Sequence, residues 1–261
     1  MDRSTLSDDA STLAFHGRAE RHDPSRFERF IGLVTEQMDR LGVKPNYVAV
    51  EGAGWAGSFQ PLKGTVARKF ATIDLSSVST LSLAAVTEGT DDPAGDRFAS
   101  VSLSYVVETG ELLCCAIVNQ AFLPFASADF DALASLLASV SRWDYGYGFA
   151  DRLNAAEFHV LALDPGDLTA EAYRSLCAWY EADLNVRAAA LRDVYAYNFL
   201  NQRQLDILLS DGQSLKGLVL EQWQRALRPF VDGSELYLWR VAETDRASLR
   251  ASLARSGALL T

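Results

Sequence analysis

Ser100-Val101-Ser102-Leu103-Ser104-Tyr105-Val106-Val107-Glu108-Thr109-Gly110-Glu111-Leu112-Leu113-Cys114-Cys115-Ala116-Ile117-Val118 is the most decisive stretch of the chain. Val101, Leu103, Tyr105 and Val107 alternate with Ser100, Ser102 and Ser104. That is the period of two of a half-buried strand, whose successive side chains point to opposite faces. Glu108-Thr109-Gly110-Glu111 supplies a tight reversal, and Leu112 to Val118 returns almost wholly apolar. A strand apolar on both faces must be covered on both, so the hairpin is expected in the middle of an antiparallel sheet.

On the N-terminal side, Thr12 to Ala19 reads as a first strand. A helix follows: Asp23 can cap it, Pro24 suits its first turn, and Phe27, Phe30, Ile31, Val34, Met38 and Leu41 recur at helical spacing before Gly42. Asn46 to Glu51 is a strand, Gly52 to Gly64 an exposed Gly-rich loop, and residues 71–86 carry one or two strands. The turn from Glu88 to Asp96 then leads into the hairpin. On the C-terminal side, a helix starts near Ser127 and runs into Trp143-Asp144-Tyr145-Gly146-Tyr147-Gly148-Phe149. Further strands are expected at Glu157–Leu163 and Glu235–Val241, with helices at Ala170–Asp183, Ser214–Arg228 and Ser248–Arg255. Arg192 to Asn201 reads as an ordered turn whose amides bond the backbone. Strands grouped together with helices before and after them make an α+β fold rather than a β-α wind. The chain is taken as one domain, 1–261. Its halves, 1–150 and 151–261, each open strand-then-helix, and an alternative is that they are a diverged duplication.

The 261 residues are 49% hydrophobic and 22% charged, enough to build a core without disulfides or metal. Against 34 Asp and Glu stand 24 Lys and Arg, a formal charge of −10. Such a surface repels phosphate backbones and anionic lipid and favours a basic partner. Neither nucleic acid nor a membrane is expected as a partner. The sparse cysteines, Cys114, Cys115 and Cys177, fit a reducing compartment. The N-terminus is polar and acidic, unlike a signal peptide, so the expected location is the cytoplasm.

Chemistry-bearing patterns are few. His16, His22 and His159 have no metal-ligand spacing, and no GxSxG elbow or phosphate loop occurs. Gly52-Ala53-Gly54-Trp55-Ala56-Gly57 superficially resembles a dinucleotide-binding loop but precedes no helical pattern. Arg18, Arg21, Arg26 and Arg29 are interleaved with Glu20, Asp23 and Glu28, and read as a solvated face. No catalytic residue, metal or cofactor is assigned. The Trp143–Phe149 segment mixes rigid aromatics with glycine, as binding hot spots do, and equally could plug a junction between two halves.

Three elements together resemble the immunity proteins of bacterial polymorphic and contact-delivered toxin systems, in their larger α+β form. They are His16-Gly17-Arg18-Ala19 with Arg26-Phe27-Glu28-Arg29-Phe30-Ile31; Trp143-Asp144-Tyr145-Gly146-Tyr147; and Leu191-Arg192-Asp193-Val194-Tyr195 with Asn198-Phe199-Leu200 and Leu238-Trp239-Arg240-Val241. The resemblance implies a protein that binds a cognate toxin and blocks its active site without chemistry of its own. On that reading Trp55, Trp143, Tyr145 and Tyr147 are candidate anchors, and Asp91, Asp92 and Asp144 candidate rim charges for a basic toxin. The alternatives are an enzyme whose pocket gathers scattered residues such as His16 and His159, and a structural homodimer paired through a strand edge.

Overall fold

A computed structural model describes residues 6–93, 96–153, 177–223 and 229–260. The first half contains β1 (Asp9–Arg18), α1 (Pro24–Arg40), β2 (Tyr47–Gly52), β3 (Trp55–Ala56), β4 (Gln60–Pro61) and α2 (Gly64–Ala71). Next come β5 (Val78–Val86), β6 (Arg97–Val106), β7 (Glu111–Asn119), α3 (Ala128–Val140) and β8 (Tyr145–Arg152). Residues 177–181 are helical. They precede α4 (Leu184–Arg187), β9 (Tyr197–Leu200), α5 (Gln202–Leu205), α6 (Leu215–Trp223), β10 (Tyr237–Arg240) and α7 (Glu243–Arg255).

The fold is α+β. Its strands form one antiparallel sheet in the order β10-β9-β8-β1-β7-β6-β5-β2-β3, with β4 also on β2. The expected hairpin is β6 and β7, deep in this sheet. Leu103 pairs with Cys114 and Ser102 with Cys115, so the alternation of Ser with apolar residues sorts onto opposite faces. β1, between β7 and β8, is buried along all but its two ends.

Two cores sandwich the sheet. Leu13, Phe15 and Cys114 meet Phe27, Phe30 and Val34 of α1 and Phe130 and Leu137 of α3 on one face. Ala14, Cys115 and Ile117 meet Trp179, Leu205, Leu215, Val219, Leu249 and Leu253 on the other. The adjacent cysteines therefore enter different cores, as strand geometry requires. α1 starts as its sequence dictates: the Asp23 side chain accepts from the Ser25 amide, Pro24 opens the first turn, and Gly42 stops the helix at φ +69°.

Several boundaries differ from the sequence-based expectation. Gly52–Gly64 is not an open loop: it makes β3 and β4, with Trp55 buried. Residues 64–71, which fall between the expected loop and the expected strands, are the helix α2, which begins on Gly64 at φ +54° without a side-chain cap. Arg192–Asn201 contains β9 as well as the expected turn, and α7 starts at Glu243 rather than Ser248. The expected strand 157–163, and the helices at 170–183 and 214–228 in part, lie outside the described residues. The boundary between 150 and 151 falls within β8.

The largest departure is Trp143–Phe149, which is mostly strand. Tyr145, Tyr147 and Phe149 project into one core, while Gly146 and Gly148 face the other. A Cβ on Gly146 would lie 2.6 Å from Phe15, and one on Gly148 3.0 Å from Phe130. The glycines make room for rings arriving from other elements.

Candidate functional site

β1 ends at His16-Gly17-Arg18, and the chain leaving α3 crosses it there. A Cβ on Gly17 would meet the Arg142 carbonyl oxygen at 2.8 Å and Trp143 at about 3.1 Å, so glycine is needed for the crossing. The Trp143 indole donates to Leu137 O at 3.0 Å, and its ring lies 6.0 Å from Phe15. The Asp144 amide donates to His16 O at 2.8 Å. Asn201 Nδ2 bonds the carbonyls of Asp144 and Ala188 at 2.5 and 2.8 Å, tying the start of β8 to the end of β9.

Around this crossing lies a groove of two adjoining cavities, about 570 and 530 Å³, which share Arg18, Trp143, Ser234 and Glu235. The first runs along the start of α1 and the end of α3; the second reaches Asp144, Asn201 and Arg203. Burial pushes the Asp144 carboxyl above its ordinary range, opposed by the charges of Arg18 and Arg203. Asp23 is held below it, chiefly by the Ser25 hydroxyl.

Behind the groove, in the second core, the buried Arg192 is boxed by tyrosines. Its Nη1 donates to the Tyr147 hydroxyl, and its guanidinium lies 5.1 Å from the Tyr147 ring and 5.6 Å from that of Tyr180. Tyr147 stacks on Tyr195 with centroids 4.4 Å apart. Burial disfavours the Arg192 charge, but the surrounding tyrosines outweigh it and hold the guanidinium protonated. The same burial pushes Tyr145, Tyr147 and Tyr195 up.

His16 is pressed the opposite way. Burial, then the charges of Arg192 and Arg187, bring it down to about 3, so it is neutral at physiological pH. Its Nε2 lies 3.4 Å from the Tyr147 hydroxyl, while Nδ1 is buried with no hydrogen-bond partner among the described residues. A cavity of about 20 Å³ between His16, Glu111, Asp144 and Trp179 has room for a single water. A substrate does not fit there.

The residues singled out from sequence are dispersed. Trp143 and Asp144 form the floor and wall of the groove. Tyr145 and Tyr147, at 1% and 0% exposure, belong to the core and, as folded, offer no surface to a partner. Trp55 is also buried, with Lys69 Nζ 4.3 Å from its ring. It sits on β3, five strands from β1, or roughly 24 Å at the usual strand spacing. Asp91 and Asp92 are exposed in the β5–β6 turn, at the opposite end of the sheet from Trp143. His159 lies outside the described residues. Among the described residues no group of three or more His, Cys, Asp or Glu side chains could hold a metal ion. No helix among them is long and apolar enough to cross a membrane.

Sequence reasoning missed Arg142, Asn201, Arg203 and Glu235 as groove residues and treated the early arginines as a solvated face. The one local signal was Gly17, a glycine inside a strand pattern, which marks a close backbone approach.

No protein-family model matches the chain, and no curated protein matches it. Among solved structures it is similar to the Pseudomonas aeruginosa T6SS protein PA0821, with a TM-score of 0.52 and 12% identity. The match covers 76% of this chain and 60% of that one, so the chain spans about three-fifths of that protein's length. A likeness at this identity is one of fold.

Proposed function

We propose that this chain is an immunity-type protein of a bacterial secretion-linked toxin system. It binds a cognate toxin domain and covers the toxin's active site, in one-to-one stoichiometry and without catalysis. The observation that carries the reading is the groove over Trp143 and Asp144, a polar concave surface large enough for several residues of a partner. The likeness in fold to a T6SS protein agrees with a secretion-linked setting. The reading implies a cytoplasmic location and, from the −10 charge, a basic toxin domain as partner.

The test is co-expression with the toxin-like product of the neighbouring gene. A one-to-one complex that abolishes toxin activity, with inhibition complete only at equimolar protein, is expected. Neutralisation by catalytic amounts, or no complex with any neighbouring product, overturns the proposal.

A further inference from the structure

The groove is richer in arginine than the rest of the molecule, with six arginines against the five carboxylates Glu20, Asp23, Asp144, Asp232 and Glu235. In a chain of net charge −10, six arginines line it: Arg18, Arg21, Arg26, Arg29, Arg142 and Arg203. The ion pairs found among the described residues, such as Arg187 with Glu111 and Arg240 with Asp131, engage none of the six. Arg18 is bonded instead to the neutral Asn185, and Arg29 reaches only the Val140 carbonyl, at 3.4 Å.

The carboxylates of the groove offset part of this charge without a close ion pair among the described residues: Asp23 acts on Arg26 and Arg29, and Asp144 on Arg18 and Arg203. Asp23 is taken up by the amide and hydroxyl of Ser25 at the cap of α1. Asp144 is half-buried against the crossing, and Glu20, Asp232 and Glu235 stand exposed at the rim. Arg26 is the sharpest case: its Nη1 is buried with no acceptor among the described residues. Burial, with Arg29 alongside, depresses its basicity, against the partial support of Asp23. A buried guanidinium nitrogen without an acceptor is costly, and an anion at the accessible part of the same half-buried side chain would offset the cost of holding its charge there.

We propose that this groove receives an acidic segment of the partner protein, whose Asp and Glu side chains pair with Arg18, Arg26 and Arg29 over the Trp143 floor. The inference rests on, and deepens, the immunity reading: the global acidity draws in a basic toxin domain, while the groove takes one local stretch of opposite sign. Arginine suits this role because its planar fork matches a carboxylate in two parallel hydrogen bonds. A nucleic acid fits less well. Its backbone carries about one charge per 1.7 Å of duplex and would continue past the groove onto rim carboxylates and a surface of like sign. A short peptide ends where the groove ends.

The test uses the whole chain with a fluorescein-labelled deca-glutamate peptide, and a labelled (dT)10 oligonucleotide as comparator, by fluorescence anisotropy. Deca-glutamate is expected to bind, to weaken with added salt, and to bind at least tenfold less tightly to R26Q/R29Q. Arg21 and Arg29 are exposed, so R21E/R29E, checked for wild-type circular dichroism, gives the same loss without disturbing the core. Absence of deca-glutamate binding, a change below twofold in both variants, or tighter binding of (dT)10 overturns the proposal. A toxin complex unaffected by R21E/R29E sinks the groove assignment and spares the immunity reading. Arginine-dependent peptide binding without any toxin complex does the reverse.

Discussion

His16 illustrates how a side chain can be held in one protonation state by burial rather than by a partner. In the unfolded chain it titrates near 6.5; in the folded protein near 3. Between those values the unfolded state binds the extra proton, so this group's contribution to stability is complete above about pH 6.5 and drains away as pH falls towards 3. The slope is about 1.4 kcal/mol per pH unit. His16→Gln should remove that slope. Urea denaturation of the two proteins between pH 7 and 4 should give stability curves that converge on acidification. Parallel curves would mean that His16 is charged in the fold or reaches solvent. The sequence already placed His16 within the first strand. Its neighbour Arg192 was not, because the box that holds its charge comes from Tyr147, Tyr180 and Tyr195, spread over three segments.

Among the elements, β8 and α1 contrast two kinds of glycine. Gly146 exists to admit Phe15, so Gly146→Ala should overpack the core by about 1–3 kcal/mol, lowering Tm by roughly 2–10 °C. Gly32 lies exposed in α1 with nothing within 4 Å of a Cβ, and Gly32→Ala should raise stability by about 0.5–1 kcal/mol. Calorimetry on the two variants checks both; a neutral Gly146→Ala would show that the sheet yields to the extra methyl. The same contrast explains what could be foreseen. β6, β7 and α1 announce themselves through local periodicity and caps. β8 does not, since the reason for Gly146 is a ring 131 positions earlier in the chain. α2 was missed because it starts on an uncapped glycine.

Across the whole molecule, one cluster of exposed acidic residues stands at the end of the sheet remote from the groove. Exposed Asp8, Asp9, Glu88, Asp91 and Asp92 gather where β1 begins and the β5–β6 turn lies, while the arginine-lined groove occupies the other end. Rim charges chiefly steer encounter, so replacing Asp91 and Asp92 with Asn should slow association with a basic toxin several-fold and leave dissociation within about twofold. Stopped-flow binding at low salt measures this; a faster dissociation would put both residues inside the contact instead. Neither the gathering of these acidic residues nor the groove could be seen in the sequence, because each is assembled from segments brought together only by the sheet order. That order has a further cost during synthesis. β1 leaves the ribosome well before both its neighbours, β7 and β8, which are encoded roughly 100 and 135 residues later. At elongation rates of about 5–20 residues per second, Leu13 and Phe15 wait roughly 5–20 s for a partner. Nascent chains of this protein are therefore natural clients for whatever chaperone shields unpaired strands at the exit tunnel.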